Sequence, residues 1–211
     1  VFSLSGRTTL GVAVPGDAVV YAYANAQNDS QMRDVYRSAD GGQTWVANGV
    51  NSTKAPTNPV TGMTNMNICH GQCWYNQMIV VDPRDPTRQT VWIGGDLASA
   101  RTRDGGATWT VETWWLYNQF PSLRYAHADH HHAAIKMTGT PEVILGNDGG
   151  IHVSTDDGAT FSSQKNNGLA THLYYTIAGN PKDSNVVIGG TQDNGTRVRT
   201  GNGSIHNQSI G

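Results

Sequence analysis

The sequence has few charged residues, and neither sign of charge dominates. Charged residues make up 14% of the 211 residues, and the formal net charge is −2. Nucleic acids and anionic membranes attract basic surfaces, so this weakly negative balance argues against either as a partner. No apolar run is long enough to form a transmembrane helix. We therefore expect neither a nucleic-acid partner nor a membrane span.

Cysteine is almost absent. The only two, Cys69 and Cys73, enclose His70 in the segment CHGQC, and no second thiol pair exists to complete a four-ligand zinc site. Two alternatives stay open, a short-loop disulfide and a pair of free thiols. We favour the disulfide, which predicts an oxidising compartment and hence a secreted or cell-surface protein.

Glycine and short apolar runs are abundant instead. There are 25 glycines, and runs of Val, Ile, Tyr and Thr alternate with Gly, Pro, Asn and Asp. This is the pattern of short strands joined by tight turns, and no segment carries a helical period. The sequence predicts an all-β protein.

One turn sequence occurs three times, as RSADGGQTW, RTRDGGATW and VSTDDGATF. Two β-like runs precede each copy. A four-stranded antiparallel unit repeated every ~40–50 residues is a propeller blade. We expect each turn to join the third and fourth strands of its blade, with its closing aromatic buried between adjacent sheets. The aligned acids are Asp40, Asp104 and Asp156, and the closing aromatics are Trp45, Trp109 and Phe161.

The whole chain, 1–211, is interpreted as part of one β-propeller. Its blades are expected at roughly 7–52, 72–115, 125–165 and 172–211. The fourth unit has Gly201 where the others have an aspartate. We therefore expect an incomplete ring, which another chain or further sequence would complete.

The repeated S-x-D-x-G-x-T-W pattern resembles the Asp-box, or BNR, repeats of sialidase-like, xyloglucanase-type and sortilin-type propellers. The resemblance implies that Asp40, Asp104 and Asp156 are structural and lie on the face opposite the active site. The longer series His-x-Asp-x-His, Asn-Asp-Gly-Gly and Gln-Asp-Asn-Gly-Thr is similar to exported bacterial BNR-repeat proteins described as glycosyl-hydrolase-like. Sialidase activity proper is not expected, because no arginine triad or Arg-Ile-Pro motif is visible.

A second set of aspartates keeps a fixed distance from the boxes. Asp96 and Asp148 each precede a box aspartate by eight residues, and Asp193 precedes Gly201 by the same offset. This spacing predicts positions in the loops between second and third strands, on the face opposite the boxes. The acids are either caps of hairpin turns or carboxylates for glycoside hydrolysis.

A histidine cluster, YAHADHHHAAI, follows the second unit. If it enters the innermost strand of the third blade, alternation places His127, Asp129 and His131 on one side and His130 and His132 on the other. Such a triplet could bind a divalent metal, transfer protons or line the central channel. The sequence requires no cofactor. The candidate catalytic residues are Asp129, Asp148, Asp193, His127 and His131.

Several residues are suited to contact a sugar. Aromatic rings stack on sugar faces, and side-chain amides bond to hydroxyls. The candidates for substrate binding are Trp74, Tyr75, Asn147, Gln192 and Asn194. Further aromatics suited to stacking are Trp114, Trp115, Tyr117, Tyr174 and Tyr175.

The sequence thus predicts an exported Asp-box propeller that acts on or binds a polysaccharide or glycan, possible glycoside hydrolysis included. The alternative is a non-catalytic surface propeller that binds a protein or assembles. The placement of the carboxylates discriminates between them: paired acids in an open cleft favour hydrolysis, and acids engaged by their own surroundings favour binding.

Overall fold

The structure is a computed structural model that describes residues 3–51, 54–58, 63–117, 119–169, 173–192, 195–202 and 205–208, the last four as backbone. The chain divides into two compact units, Val1–Asn167 and Gly168–Gly211. Strands dominate the described part, and the short 3-10 helix Gln164–Asn166 interrupts them. No helix within these ranges has the length and apolar character needed to cross a membrane.

The first sheet contains four antiparallel strands in sequence order. They are β1 (Ser5–Gly11), β2 (Val20–Ala26), β3 (Met32–Ser38) and β4 (Val46–Ala47). Strand β2 is buried on both faces. Its tyrosines and alanines alternate along the strand, so they point to opposite faces. Tyr21 and Tyr23 enter one apolar cluster, whereas Ala22 and Ala24 enter another.

The second sheet adds a fifth strand at its outer edge. Its members are β5 (Met78–Val81), β6 (Val91–Gly94), β7 (Ala98–Thr102), β8 (Thr110–Trp114) and β9 (Arg124–Tyr125). Strands β5 to β8 pair antiparallel, and β9 runs parallel to β8.

The third sheet has three strands, β10 (His130–Lys136), β11 (Glu142–Asn147) and β12 (Gly150–Ser154). A single bridge between Val153 and Ser162 occupies the place of a fourth strand. The second unit holds its own antiparallel sheet of β13 (Tyr174–Asn180), β14 (Asp183–Thr191), β15 (Thr196–Arg199) and β16 (Ile205–Gln208).

Apolar clusters join the sheets of the first unit face to face. The larger cluster combines Tyr21 and Tyr23 of the first sheet with Ile79, Val81 and Trp109 of the second. A smaller cluster places Met78 and Trp92 of the second sheet against Ala133, Val143 and Leu145 of the third. Burial of this apolar surface is the main force that holds the sheets together.

The fold is therefore all-β, built of propeller-type antiparallel blades, as the sequence predicts. Three such blades make up the first unit, fewer than the roughly four to eight that close a propeller ring. That all 211 residues belong to one propeller stays a prediction.

The three repeated turns have the same internal hydrogen bonds. In the first, the Ser38 hydroxyl donates to Asp40 Oδ1 at 2.7 Å and accepts the N–H of Gly42 at 2.8 Å. Asp40 then accepts the N–H and the hydroxyl of Thr44 at 2.9 and 2.6 Å. The bonds from Thr44 and Ser38 lower the pKa of Asp40 to about 2. The same bonds recur around Asp104 and Asp156.

The closing aromatics differ in burial, which corrects the expectation that all three are largely buried. Trp109 is fully buried because it lies in the cluster between the first and second sheets. Trp45 is half-buried, since it packs on alanines and a tyrosine of its own sheet. Phe161 is also half-buried, at the edge of the cluster that contains Trp92, with ring centroids 6.3 Å apart.

The last glycine of a turn fits against the preceding sheet. Gly106 has φ of 105°, and a Cβ there would overlap the side chain of Asn48, which directly follows β4 of the first sheet. Gly158 has φ of 88°, and a Cβ there would lie 2.6 Å from Trp92 in the second sheet. Glycine is needed at both positions for its backbone conformation and for this close approach.

Candidate functional site

The second set of aspartates lies at the opposite strand ends from the boxes. Asp96 occupies the turn between β6 and β7, and Asp148 the turn between β11 and β12. Asp104 and Asp156 follow the far ends of β7 and β12. The eight-residue spacing arises because one strand, β7 or β12, separates the two aspartates of each pair. Asp193 lies outside the described residues.

Asp148 is paired with a histidine of the neighbouring strand. The Nε2 of His131, on β10, donates to Asp148 Oδ1 at 2.6 Å. The side chains are 34% and 19% exposed, so the pair is reachable from solvent. The ring of Tyr75 meets the imidazole edge-on, with centroids 5.0 Å apart. The third sheet and the loop that precedes β5 thus contribute to one surface.

Trp74 and Tyr75 lie on a loop fixed by the disulfide of Cys69 and Cys73, whose sulfurs are 2.07 Å apart. Both cysteines are fully buried, and the Tyr23 hydroxyl lies 3.2 and 3.3 Å from their sulfurs. Trp74 and Tyr75 are 62% and 42% exposed, with ring centroids 5.6 Å apart. We call Trp74, Tyr75, His131 and Asp148 the aromatic shelf.

Asp129 is held by two other loops. It accepts a hydrogen bond from the buried side-chain amide of Asn76, and its N–H donates to the carbonyl of Asp96 at 2.6 Å. Its φ of 63° lies in the left-handed region, which is uncommon for a residue other than glycine. Such strained positions cluster at functional sites, and the hydrogen bonds to Asn76 and Asp96 hold this one in place.

The histidine triplet is not a simple alternating strand. Strand β10 begins only at His130, and its pairing with β11 shifts register between His130 and His132. The left-handed backbone of Asp129 and this register shift break the alternation of side chains. The expected placement of His127, Asp129 and His131 on one side of a strand depends on that alternation. His127 consequently lies apart from the strand, against Gly149, where a Cβ would overlap it.

Two buried histidines accompany the triplet. His130 is fully buried, and burial, together with nearby His152, His131 and His127, lowers its pKa to about 3. His152, on β12, accepts the N–H of His127 at 3.4 Å. Burial and His127 lower the pKa of His152 to about 4. Both rings are neutral at physiological pH.

A metal site does not form from the residues that the structure describes: no group of three His, Cys, Asp or Glu side chains among them is arranged to hold an ion. His131 pairs with Asp148, Asp129 with Asn76, and the backbone N–H of His127 with His152. The triplet residues are engaged separately and do not converge on a common point.

The remaining candidates are divided between the two units. Asn147 caps the β11–β12 turn, because its Oδ1 accepts the N–H of Gly149 at 3.1 Å. Gln192 follows β14 in the second unit, where its N–H donates to the carbonyl of Leu173 at 2.9 Å. Asn194 lies outside the described residues. The sequence reasoning missed Asn76 and His152, which belong to no motif and carry no period.

The chain was compared with known proteins. No protein-family model and no curated protein matches it. Among solved structures, a GH74 enzyme from Niastella koreensis matches at 16% identity and a TM-score of 0.46, over 98% of this chain and 30% of its own. YCF48 bound to D1 peptide matches at 14% and 0.42, over 94% and 54%. The chain thus spans less than two thirds of either protein.

Proposed function

We propose that this protein binds a glycan on the aromatic shelf, without hydrolysing it. The observation that carries the proposal is the edge-on contact between the exposed Tyr75 and His131, which is itself paired with Asp148. A ring that can stack on a sugar therefore lies beside two polar side chains whose orientation is fixed. Sugar rings present the matching combination of an apolar face and a rim of hydroxyls.

The exposed rings support a binding role. Large aromatic side chains are normally buried, because each removes on the order of 150–250 Å² from water. Trp74, at 62% exposure, leaves most of that surface uncovered. The buried disulfide fixes the loop, so the rings are held in place before a ligand arrives and lose little freedom on binding.

Asp129 and Asp148, the candidate catalytic acids within the described residues, favour binding over hydrolysis. Glycoside hydrolysis needs two carboxyl groups free to exchange protons or to attack the sugar. Asp148 is engaged by His131, and Asp129 accepts from Asn76. A carboxylate fixed by a neighbouring donor is a hydrogen-bond acceptor of defined direction, which suits recognition of a hydroxyl pair.

We propose secretion or display at the cell surface as the setting. The support is the disulfide inside the core of the first unit, because such bonds persist in oxidising compartments. Polysaccharides are exposed in the same surroundings.

The test is binding and turnover on a panel of neutral oligosaccharides, measured by calorimetry and product analysis. Trp74→Ala and Tyr75→Ala should each weaken binding by about tenfold or more. The basis is the stacking of nucleic-acid bases on aromatic side chains, where alanine substitution costs about 1–3 kcal/mol. Tyr175→Ala is the matched control, because Tyr175 is an exposed tyrosine of the other unit.

His131→Gln should weaken binding without unfolding the protein, because the imidazole, at 34% exposure, is not part of the buried core. Release of new reducing ends would contradict the non-catalytic part of the proposal. Binding that none of the shelf variants weakens would contradict the shelf itself. A panel with no glycan bound would favour a protein partner.

A further inference from the structure

A second concave surface lies between the second and third sheets and shares no residue with the aromatic shelf. This groove measures about 420 Å³. Aromatic rings form half of its lining, including Trp114, Tyr117, Phe120, Tyr125 and Phe161. Three edge-to-face contacts fix the rings, with centroid distances of 5.4 Å for Trp114–Phe120, 5.7 Å for Tyr117–Tyr125 and 5.6 Å for Tyr125–His152.

The only charged side chain that lines the groove, within the described residues, is Arg124. Its Nε donates to the carbonyl of Ala159. No carboxylate among the described residues forms an ion pair with it, whereas nearby Arg84 and Arg101 are each paired with acids. The groove thus presents one positive charge among aromatic rings, without an ion pair in the described residues, and Arg124 also borders a neighbouring depression that Glu112, Asp156 and Asp157 line. A cation in this position is complementary to an anion carried on a ring.

The polar atoms of the lining can bond to hydroxyls. The hydroxyls of Tyr117 and Tyr125 have no hydrogen-bond partner within the described part of the chain. His152 is neutral because burial lowers its pKa. Its Nε2 accepts the N–H of His127, so Nδ1 carries the proton and can donate to a ligand. A plain aromatic acid would use the rings and the arginine but leave these groups unused.

We propose that this groove binds an acidic sugar, a uronic acid residue of a glycan, with its ring on the aromatic side chains and its carboxylate on Arg124. The ligand class rests on the proposed glycan function, whereas the site is separate from the shelf. The two proposals can therefore fail independently.

The test is calorimetry of the full chain with an oligogalacturonate and with its methyl ester, which keeps the ring and removes the charge. The acid should bind about ten- to a hundredfold more tightly than the ester, the range for a hydrogen bond to a charged group. Equal affinity for acid and ester would overturn the proposal. Benzoate tests the other source of a ring carboxylate, and benzoate binding as tight as that of the oligosaccharide would overturn the sugar assignment.

Variants assign the binding to the groove. Arg124→Gln should abolish the preference for the acid over the ester, and Arg124→Lys should restore part of it. Tyr117→Ala should weaken both ligands, because Tyr117 is 73% exposed and contributes surface without supporting the core. Tyr175→Ala, at 74% exposure, is the matched control and should change neither.

Trp74→Ala separates the two sites, since it removes a ring of the shelf and none of the groove. It should leave the preference for the acid intact while lowering the affinity for neutral glycans. Acid binding that is lost in Trp74→Ala but kept in Tyr117→Ala would overturn the groove assignment. Thermal unfolding of each variant shows whether a loss of binding reflects a loss of fold.

Discussion

The side-chain amide of Asn166 makes the two backbone hydrogen bonds to Ile151 that a neighbouring strand would otherwise make. Its Oδ1 accepts the N–H of Ile151 at 2.7 Å, and its Nδ2 donates to the carbonyl of Ile151 at 3.1 Å. Farther along β12, Val153 and Ser162 exchange two hydrogen bonds of 2.9 Å. The outer edge of the third sheet is thereby paired without a regular fourth strand, which protects it from edge-to-edge association.

Asn166→Ala should expose the backbone of Ile151 to exchange. Both bonds to Ile151 are lost, so we expect a decrease of about 1–2 kcal/mol in the free energy of unfolding and faster exchange of the Ile151 amide. Hydrogen exchange measures the second effect directly. Asn167→Ala is the control, since Asn167 is exposed. Equal Ile151 exchange in both variants would show that Asn166 does not pair the edge.

Thr102→Val should destabilise the protein although its volume is nearly unchanged. The buried Thr102 hydroxyl accepts the N–H of Gly106 at 2.9 Å and donates to Asp104 at 2.7 Å. We expect a loss of about 1–3 kcal/mol in the free energy of unfolding, measured by urea denaturation, because a buried donor loses its partner. Thr138→Val, at an exposed turn, should change it by less than about 0.5 kcal/mol. Similar values for the two would refute the structural role of the hydroxyl.

The buried histidines should make the protein less stable in acid. Burial lowers the pKa of His130 to about 3 and that of His152 to about 4 in the folded state, against an unfolded value near 6.5. The unfolded state therefore binds more protons below about pH 6.5. The free energy of unfolding should fall as the pH decreases from there towards 4, by up to about 1.4 kcal/mol per pH unit for each histidine.

Urea midpoints at a series of pH values measure this dependence. His152→Gln removes one of the two buried imidazoles and should flatten the slope, whereas His132→Gln, at an exposed position, should leave it unchanged. A slope that neither variant alters would assign the acid sensitivity to other groups.

Asp157 should contribute to docking of the third sheet on the second. Its carboxylate lies 2.8 Å from Arg84, 3.3 Å from Arg101 and 2.6 Å from Arg103. Arg101 lies on β7, and the other two lie in turns between strands of the second sheet. Asp157 is 43% exposed, so solvent screens these pairs, and we expect Asp157→Asn to lower the free energy of unfolding by about 1 kcal/mol. Denaturation at low and high salt measures the effect, which should shrink with salt.

Asp183→Asn is the control, because the Asp183 carboxylate accepts the N–H of Asn185 and forms no ion pair within the described residues. A loss independent of salt would point to packing and not to charge.

The repeat was predictable from sequence because hairpin chemistry is local. Serine or threonine, aspartate and glycine at fixed offsets define the box, and one strand length fixes where Asp96 and Asp148 lie. The histidine triplet was less predictable, because the left-handed backbone of Asp129 depends on Asn76 and Asp96 of distant loops. The burial of Trp45 and Trp109 differs for a similar reason, since it depends on which sheet lies against each ring.

The fit of Gly106 against Asn48, and of Gly158 against Trp92, bears on how such a chain could be recombined. The box turn of one blade is shaped by a side chain of the blade before it. A graft that moves a blade as a self-contained cassette would separate each glycine from its counterpart. A module that kept these contacts would instead be staggered, joining the strands of one blade, with the residues that directly follow them, to the box of the next.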